Sequence, residues 1–196
     1  MNDFKITKEL IQKAKDKKAC SDAIEWLEKK ERTWFELKTY SSEWAAWGMA
    51  CIKDIPIDLK DLRSYDRVSV MIKRPDCQID LTGLDSEEHA YVMINRPDCP
   101  IDLTGLSSDD RAWVMVKRPD CPIDLDGLSP DDRVWVMIER PDCPIDLNGL
   151  DSEERANVMA ERPDCPIDLK GLDPEDRAWV KAKRGSKNDF KIGSKK

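Results

Sequence analysis

Apolar residues recur along this chain at helical spacing, inside a longer period of 22. Residues 96–117 read RPDCPIDLTGLSSDDRAWVMVK and residues 118–139 read RPDCPIDLDGLSPDDRVWVMIE, identical at 17 of 22 positions. The unit returns at 74–95, 140–161 and 162–183, and a further start at Arg184-Gly185 is cut short. Upstream the pattern decays. Segment 52–73 keeps Pro56-Ile57-Asp58-Leu59, Asp66-Arg67-Val68 and Val70-Met71, whereas 30–51 keeps little beyond Leu37, Tyr40 and Met49. A fixed period of this length marks units that bury their apolar faces only against neighbours, with atypical units at the ends.

Within 118–139, Ser129 has the chemistry of a helix N-cap, Pro130 suits the first helical position, and Asp132 completes a pattern close to a capping box. Asp131 and Asp132 favour the positive end of the helix dipole. Pro141 forces the helix to stop by Arg140, which leaves about residues 130–139. The other half, 118–128, holds two prolines and a glycine. It predicts a turn followed by one short 3₁₀ or α turn around 123–128.

At about 100° per residue, Val134, Val136, Met137 and Ile138 share one arc, and Trp135, Glu139 and Asp131 the other. Val70, Val92, Val114, Val136, Val158 and Val180 never vary, and Met71, Met93, Met115, Met137 and Met159 hold until Lys181. With the two leucine columns that begin at Leu59 and Leu62, they predict the core. Arg67, Arg111, Arg133, Arg155 and Arg177 lie beside the apolar arc, with His89 as the one substitution. That column is expected to pair with aspartates of its own or the adjacent unit. Asp80, Asp102, Asp124, Asp146 and Asp168 are expected to cap backbone donors in the Pro-Ile-Asp-Leu turn.

The pattern Arg-Pro-Asp-Cys-Pro-x-x-Leu-x-x-Leu, followed by a helix with Arg-x-x-Val, resembles the variant leucine-rich repeats of bacteria over about residues 52–183. Members of that family stack an α-helix and a 3₁₀ helix alternately into a curved right-handed superhelix. The resemblance therefore implies an all-α fold, a right-handed α/3₁₀ solenoid of stacked 22-residue repeats with a helical N-terminal cap. The chain departs in its slightly shorter period and lacks the cysteine cluster that holds an iron–sulfur centre in one member. The resemblance implies no activity. Ala19-Cys20 to Trp26-Leu27, followed by Ser42-Glu43-Trp44-Ala45-Ala46-Trp47, is similar to leader segments of bacterial and phage-encoded repeat proteins, which implies such an origin.

The chain thus divides into a helical cap with a degenerate repeat (1–51), six repeats (52–183) and a basic tail (184–196). The cap carries Trp26, Trp34, Trp44 and Trp47, expected to seal the first repeat, and Thr33 with Glu36 forms a capping-box candidate. The Gly, Ser and Lys content of the tail predicts flexibility. Asn188-Asp189-Phe190-Lys191-Ile192 copies Asn2-Asp3-Phe4-Lys5-Ile6.

Composition narrows the chemistry. Hydrophobic residues make up 40% and charged residues 37% of the 196, a balance expected of a particle with much surface per residue. No apolar run reaches membrane-spanning length. The N-terminus lacks the apolar stretch of a signal peptide, so seven cysteines predict free thiols and a cytoplasmic setting. Cys77, Cys99, Cys121, Cys143 and Cys165 are 22 apart. Stacked helices lie roughly 8–10 Å apart, too far for disulfides between neighbouring units. One histidine, no CxxC and no Gly-rich phosphate loop argue against metal, cofactor and catalytic sites.

Variation concentrates outside the core arc. One helix position reads Ser69, Tyr91, Trp113, Trp135, Asn157 and Trp179, and others vary at Asp126 and Glu139. Aromatic side chains on a charged face are common material of interface hot spots, although each tryptophan could instead lie flat over its neighbour's helix. Residues 74–161 carry a net charge of −13, which disfavours direct nucleic-acid binding. The expected function is a non-catalytic scaffold binding a protein partner through Tyr91, Trp113, Trp135, Trp179, Asp126, Asp131 and Glu139. The alternative is an acidic inhibitor, open to a phage origin, that mimics DNA against a nucleic-acid-binding or defence enzyme.

Overall fold

A computed structural model describes the backbone of residues 4–192 and the side chains of residues 4–185. The described residues form ten helices and one two-stranded sheet. The chain divides into two compact units, one ending at Pro100 and the other beginning at Ile101. The first holds β1 (Lys5–Ile6), α1 (Lys8–Asp16), α2 (Ser21–Glu28), β2 (Arg32–Thr33), α3 (Trp34–Tyr40), α4 (Ser42–Cys51), α5 (Ser64–Lys73) and α6 (Ser86–Asn95). The second holds α7 (Ser108–Lys117), α8 (Pro130–Glu139), α9 (Ser152–Glu161) and α10 (Pro174–Ile192). Within each unit successive helices pack in chain order, α3 to α6 in the first and α7 to α10 in the second. This is the packing of a helical repeat.

Helix boundaries follow from local chemistry. From α4 to α10 the starts fall every 22 residues, and α4 to α9 are each ten residues long. Ser129 accepts from the Asp132 amide with Pro130 next to it, while Asp85 and Asp151 form capping boxes with Glu88 and Glu154. At the far end, Arg140 is extended, with φ −109° and ψ 97°, because the Pro141 ring excludes helical geometry from the residue before it. The core lies on the predicted arc. The valine column is fully buried, and the methionines from Met49 to Met159 are at most 2% exposed. Met49 begins that column, so α4 is the helix of the degenerate repeat.

The return segments differ from the expected 3₁₀ turn; no 3₁₀ helix occurs among the described residues. In residues 118–128 the Cys121 amide closes a turn on the Arg118 carbonyl at 2.9 Å, and the Leu128 amide closes another on Leu125 at 3.3 Å. Between them the chain is extended, because Pro122 has no amide to donate. Gly127 has φ +73°, the third position of a type II turn and incompatible with a helical turn. In the first of the six repeats, 52–73, the equivalent residue is Asp61, at φ +62°. Asp124 Oδ1 accepts from the Asp126 amide at 3.0 Å, and Asp58, Asp80, Asp102, Asp146 and Asp168 do the same two residues on. That is the capping role expected of this column. Several methionines also bond polar groups, since Met71 and Met137 Sδ accept from the Asp80 and Asp146 amides at 3.3 and 3.4 Å.

Two further features differ from the sequence reading. The all-α expectation misses β1 and β2, which pair antiparallel with Lys5 opposite Thr33. Two residues per strand leave no alternation to detect. α10 also runs on to Ile192, through most of the expected tail. The remaining four residues, 193–196, lie outside the described residues. In α10 the methionine column ends in exposed Lys181, with Ala178 and Ala182 also exposed. The cap aromatics gather on one another: Trp26 stacks on Tyr40 at 4.7 Å and meets Trp44 edge-on at 6.5 Å, with the Arg32 guanidinium 3.8 Å over Trp26.

The turn geometry makes opposite predictions for equivalent positions. Gly127→Ala should destabilise by about 1–2 kcal/mol, and Asp61→Gly should stabilise by up to about 1 kcal/mol. Urea unfolding of both variants beside the parent chain checks the pair.

Candidate functional site

Most charged and polar groups of the repeats are engaged within the fold, and sorting them isolates the candidate site. The arginine that follows each of α5 to α9 is buried. Arg74, Arg96, Arg118, Arg140 and Arg162 are 4–7% exposed. Arg140 Nη1 donates to the carbonyls of Met115, Arg118 (3.2 Å) and Cys121 (3.5 Å), and Nη2 to those of Pro119 and Cys121 (both 3.4 Å). Met115 belongs to the last turn of α7, whose final carbonyls have no partner within the helix. The guanidinium therefore caps the negative end of the preceding helix dipole. Arg162 repeats these contacts on Met137, Arg140, Pro141 and Cys143, and Arg96 repeats them on Met71, Arg74, Pro75 and Cys77. Arg74 reaches Met49 in the same way at 2.8 Å.

Each clamp is neutralised two residues later. Arg140 makes a two-pronged bond to Asp142 at 2.9 and 2.8 Å, and Arg74, Arg96, Arg118 and Arg162 bind Asp76, Asp98, Asp120 and Asp164 alike. The hydrogen bond from arginine holds Asp76, Asp120, Asp142 and Asp164 down to about 2, and Asp98 below its ordinary value. Sequence reading takes Arg140 only as a helix end. The signal that could have found the clamp is its constancy at 74, 96, 118, 140, 162 and 184, equal to that of the core valines.

The second arginine column lies in a shallower position and pairs with aspartates as expected at Arg67, Arg111 and Arg133, whereas Arg155 donates to the Asp151 and Gly171 carbonyls. Arg133 donates to the Asn148 carbonyl at 3.1 Å and to the Asp146 carboxylate at 3.2 Å, and Arg111 reaches the Asp126 carbonyl at 2.9 Å. At the other helix end, the Ser108 hydroxyl donates to Asp132 and accepts from the Ser129 amide, at 2.5 and 2.6 Å. Ser152 repeats this on Asp176 and Asp173, and Ser42 donates to Asp66. Asp132 is therefore a structural acceptor. The five repeat cysteines are buried free thiols, and burial pushes those of Cys77, Cys121, Cys143 and Cys165 up. Among the described residues no group of three His, Cys, Asp or Glu side chains is placed to hold a metal.

The expected partner-binding residues distribute as follows. Tyr91 lies on α6 in the first unit and is 44% exposed. Trp113, Trp135 and Trp179 occupy the same position of α7, α8 and α10 in the second unit, with Asn157 between them on α9. All three tryptophans are half-buried. A residue flanked by two core positions at 100° steps sits at the rim of the apolar arc, which is why its ring is half covered. Lys183 Nζ lies 5.7 Å over the Trp179 ring and 2.9 Å from Glu161. Asp131 at the start of α8, Glu139 at its end and Asp126 in the preceding turn are exposed. Adjacent packing of α7 on α8 brings Trp113 and Trp135 to neighbouring helices.

The architecture is that of a mostly helical protein whose helices pack in repeat order. No family model, curated protein or solved structure matches the chain. No helix among the described residues is long and apolar enough to cross a membrane.

The two arginine columns should separate in stability. Arg140→Ala leaves buried carbonyls of two turns unpaired and should cost about 3–5 kcal/mol, whereas Arg133→Ala should cost about 1–2 kcal/mol; guanidinium denaturation reads both. Because the clamp aspartates are held at about 2 from an ordinary 3.8, their contribution is complete above pH 4 and is lost as pH falls towards 2. Thermal unfolding across that window should decline for the parent chain and decline less steeply for Asp142→Asn, which also starts lower at neutral pH.

Proposed function

We propose that the chain is a solenoid of 22-residue repeats, right-handed as the variant leucine-rich repeats are, serving as a non-catalytic scaffold for a protein partner. The observation that carries this reading is a division of labour inside each repeat. The constant groups, arginine, aspartate, cysteine, valine and methionine, are engaged within the fold. Where core positions change they stay apolar, as Val68, Ala90, Ala112 and Val134 do, and changes of chemical character fall on positions such as 91, 113, 126, 135 and 139 that border solvent. Trp113 and Trp135 supply large rigid rings, and Asp126, Asp131 and Glu139 supply exposed acid around them. Half-covered tryptophans rimmed by charge resemble the centre-and-rim arrangement of interface hot spots. Tyr91 offers the same chemistry on the first unit. The setting we infer is cytoplasmic, in keeping with free thiols.

The net charge of −13 over residues 74–161 supports a second reading, an acidic inhibitor that occupies the nucleic-acid groove of a host enzyme. The readings separate by salt and by residue. Under the first, immobilised chain captures a partner from bacterial extract, and Trp113→Ala with Trp135→Ala lowers capture at least about tenfold. Under the second, capture falls steeply with salt and with charge reversal at Asp126, Asp131 and Glu139, while the tryptophan variants retain it. Asp132 is unsuitable for reversal because it accepts from Ser108 and Ser129. Capture unchanged by either set would refute this face as the binding surface.

A further inference from the structure

The pentapeptide at 2–6 occurs again at 188–192, and the first copy has a built seat. Lys5 and Ile6 pair with Thr33 and Arg32 of β2. The Trp34 amide donates to the Phe4 carbonyl at 2.7 Å, and the Phe4 ring meets the Trp34 ring edge-on at 6.4 Å. Trp34 is 7% exposed. Ile6 borders an apolar cavity with Leu10, Ala14, Leu27, Trp34 and Leu37. The seat therefore reads three features of its occupant, an extended backbone, a phenylalanine and an isoleucine two residues on. So short a strand pair is held by these contacts and by its tether more than by its ladder.

The second copy offers the same three features. It lies in the last nine residues of α10, which overrun the ten-residue length of the preceding repeat helices. Gly185, Asn188 and Asp189 have low helix propensity, so this end is suited to exchange helix for strand. We propose that residues 188–192 are a second ligand for the β2 seat and occupy it on another copy of the chain, displacing that copy's residues 2–6. The contact is head to tail; a single exchange leaves one seat and one C-terminal segment free, so copies either close into a ring, the smallest a reciprocal dimer, or add further. Exchange replaces Phe4, Lys5 and Ile6 by the same three residue types, so the contacts described for them nearly balance. The resident copy keeps the advantage of its tether through Thr7, which caps α1 by accepting from the Leu10 amide at 3.3 Å. A short tether is equivalent to a local concentration of about 1 mM, so association is expected as the chain approaches that range.

The test is sedimentation equilibrium of the full chain from about 10 μM to about 1 mM, with circular dichroism to verify folding. Average mass should rise with concentration. Phe190→Ala should abolish the rise, and Phe4→Ala, which weakens the resident copy only, should move it to concentrations roughly two- to tenfold lower. Should Phe4→Ala unfold the cap, a fluorescein-labelled peptide of residues 186–194 replaces it. Saturable anisotropy with the parent chain, lost when the peptide carries the Phe190→Ala change, supports the seat. Monomer throughout, association insensitive to Phe190→Ala, or no saturable peptide binding up to about 1 mM overturns the proposal. A segment that folds back on its own chain gives monomer throughout and counts against it equally.

Discussion

A guanidinium buried against the end of the preceding helix is the contact on which the repeats depend. Arg140 reaches across to the carbonyls of Met115, Arg118, Pro119 and Cys121, and it does so from the first residue after its own helix. The separations are fixed, so one residue inserted between Met115 and Arg140 would carry the guanidinium away from its acceptors. A buried ion is expensive to desolvate. The expense is offset because the acceptors are carbonyls that an apolar side chain would leave bare, and because Asp142 closes the charge from the solvent side. An apolar replacement of equal volume could match the packing but could not specify the period.

That contact organises the smaller ones. Where arginine holds the C-terminal end of a helix, serine ties the N-terminal ends at Ser42, Ser108 and Ser152, as Ser108 does to Ser129 and Asp132. Where Pro130 stands in the serine's place, the next unit caps itself, Glu154 accepting from the Asp151 amide at 2.7 Å. The turn between them needs a left-handed residue, which glycine supplies in five units and Asp61 in the first repeat, 52–73. Valine and methionine then fill the interior, and the methionine sulfur takes an amide proton that the return segment cannot pair elsewhere.

Much of this was legible in the residues. Ser129, Pro130 and Pro141 delimit α8 because capping and proline sterics are local effects. The Asx turns and the Arg133 column were also legible, since their partners are short polar side chains at fixed offsets. The clamp was not, because its acceptors are backbone carbonyls of another unit, and a carbonyl leaves no mark on the sequence. The same holds for β1 and β2, joined across the first two helices by backbone bonds. The glycine that forbids a 3₁₀ turn was visible, yet its sign of φ was not. Of the candidate site, the positions of Trp113, Trp135 and the acids followed from helical geometry. Their degree of exposure depended on rim packing that periodicity does not measure.

The clamp also gives the chain a direction in time. Arg140 lies 25 residues after Met115, so a chain emerging from the ribosome exposes the end of α7 before the residue that closes it has been made. Each helix waits for its successor, and the repeats mature from the N-terminus in steps that lag synthesis by one unit. At the other extreme, Arg184 closes the unit before it on the Arg162, Pro163 and Cys165 carbonyls, but Ser186 stands where every earlier unit has an aspartate. The charge pattern of the clamp therefore changes at Arg184, where the residue two positions on is neutral.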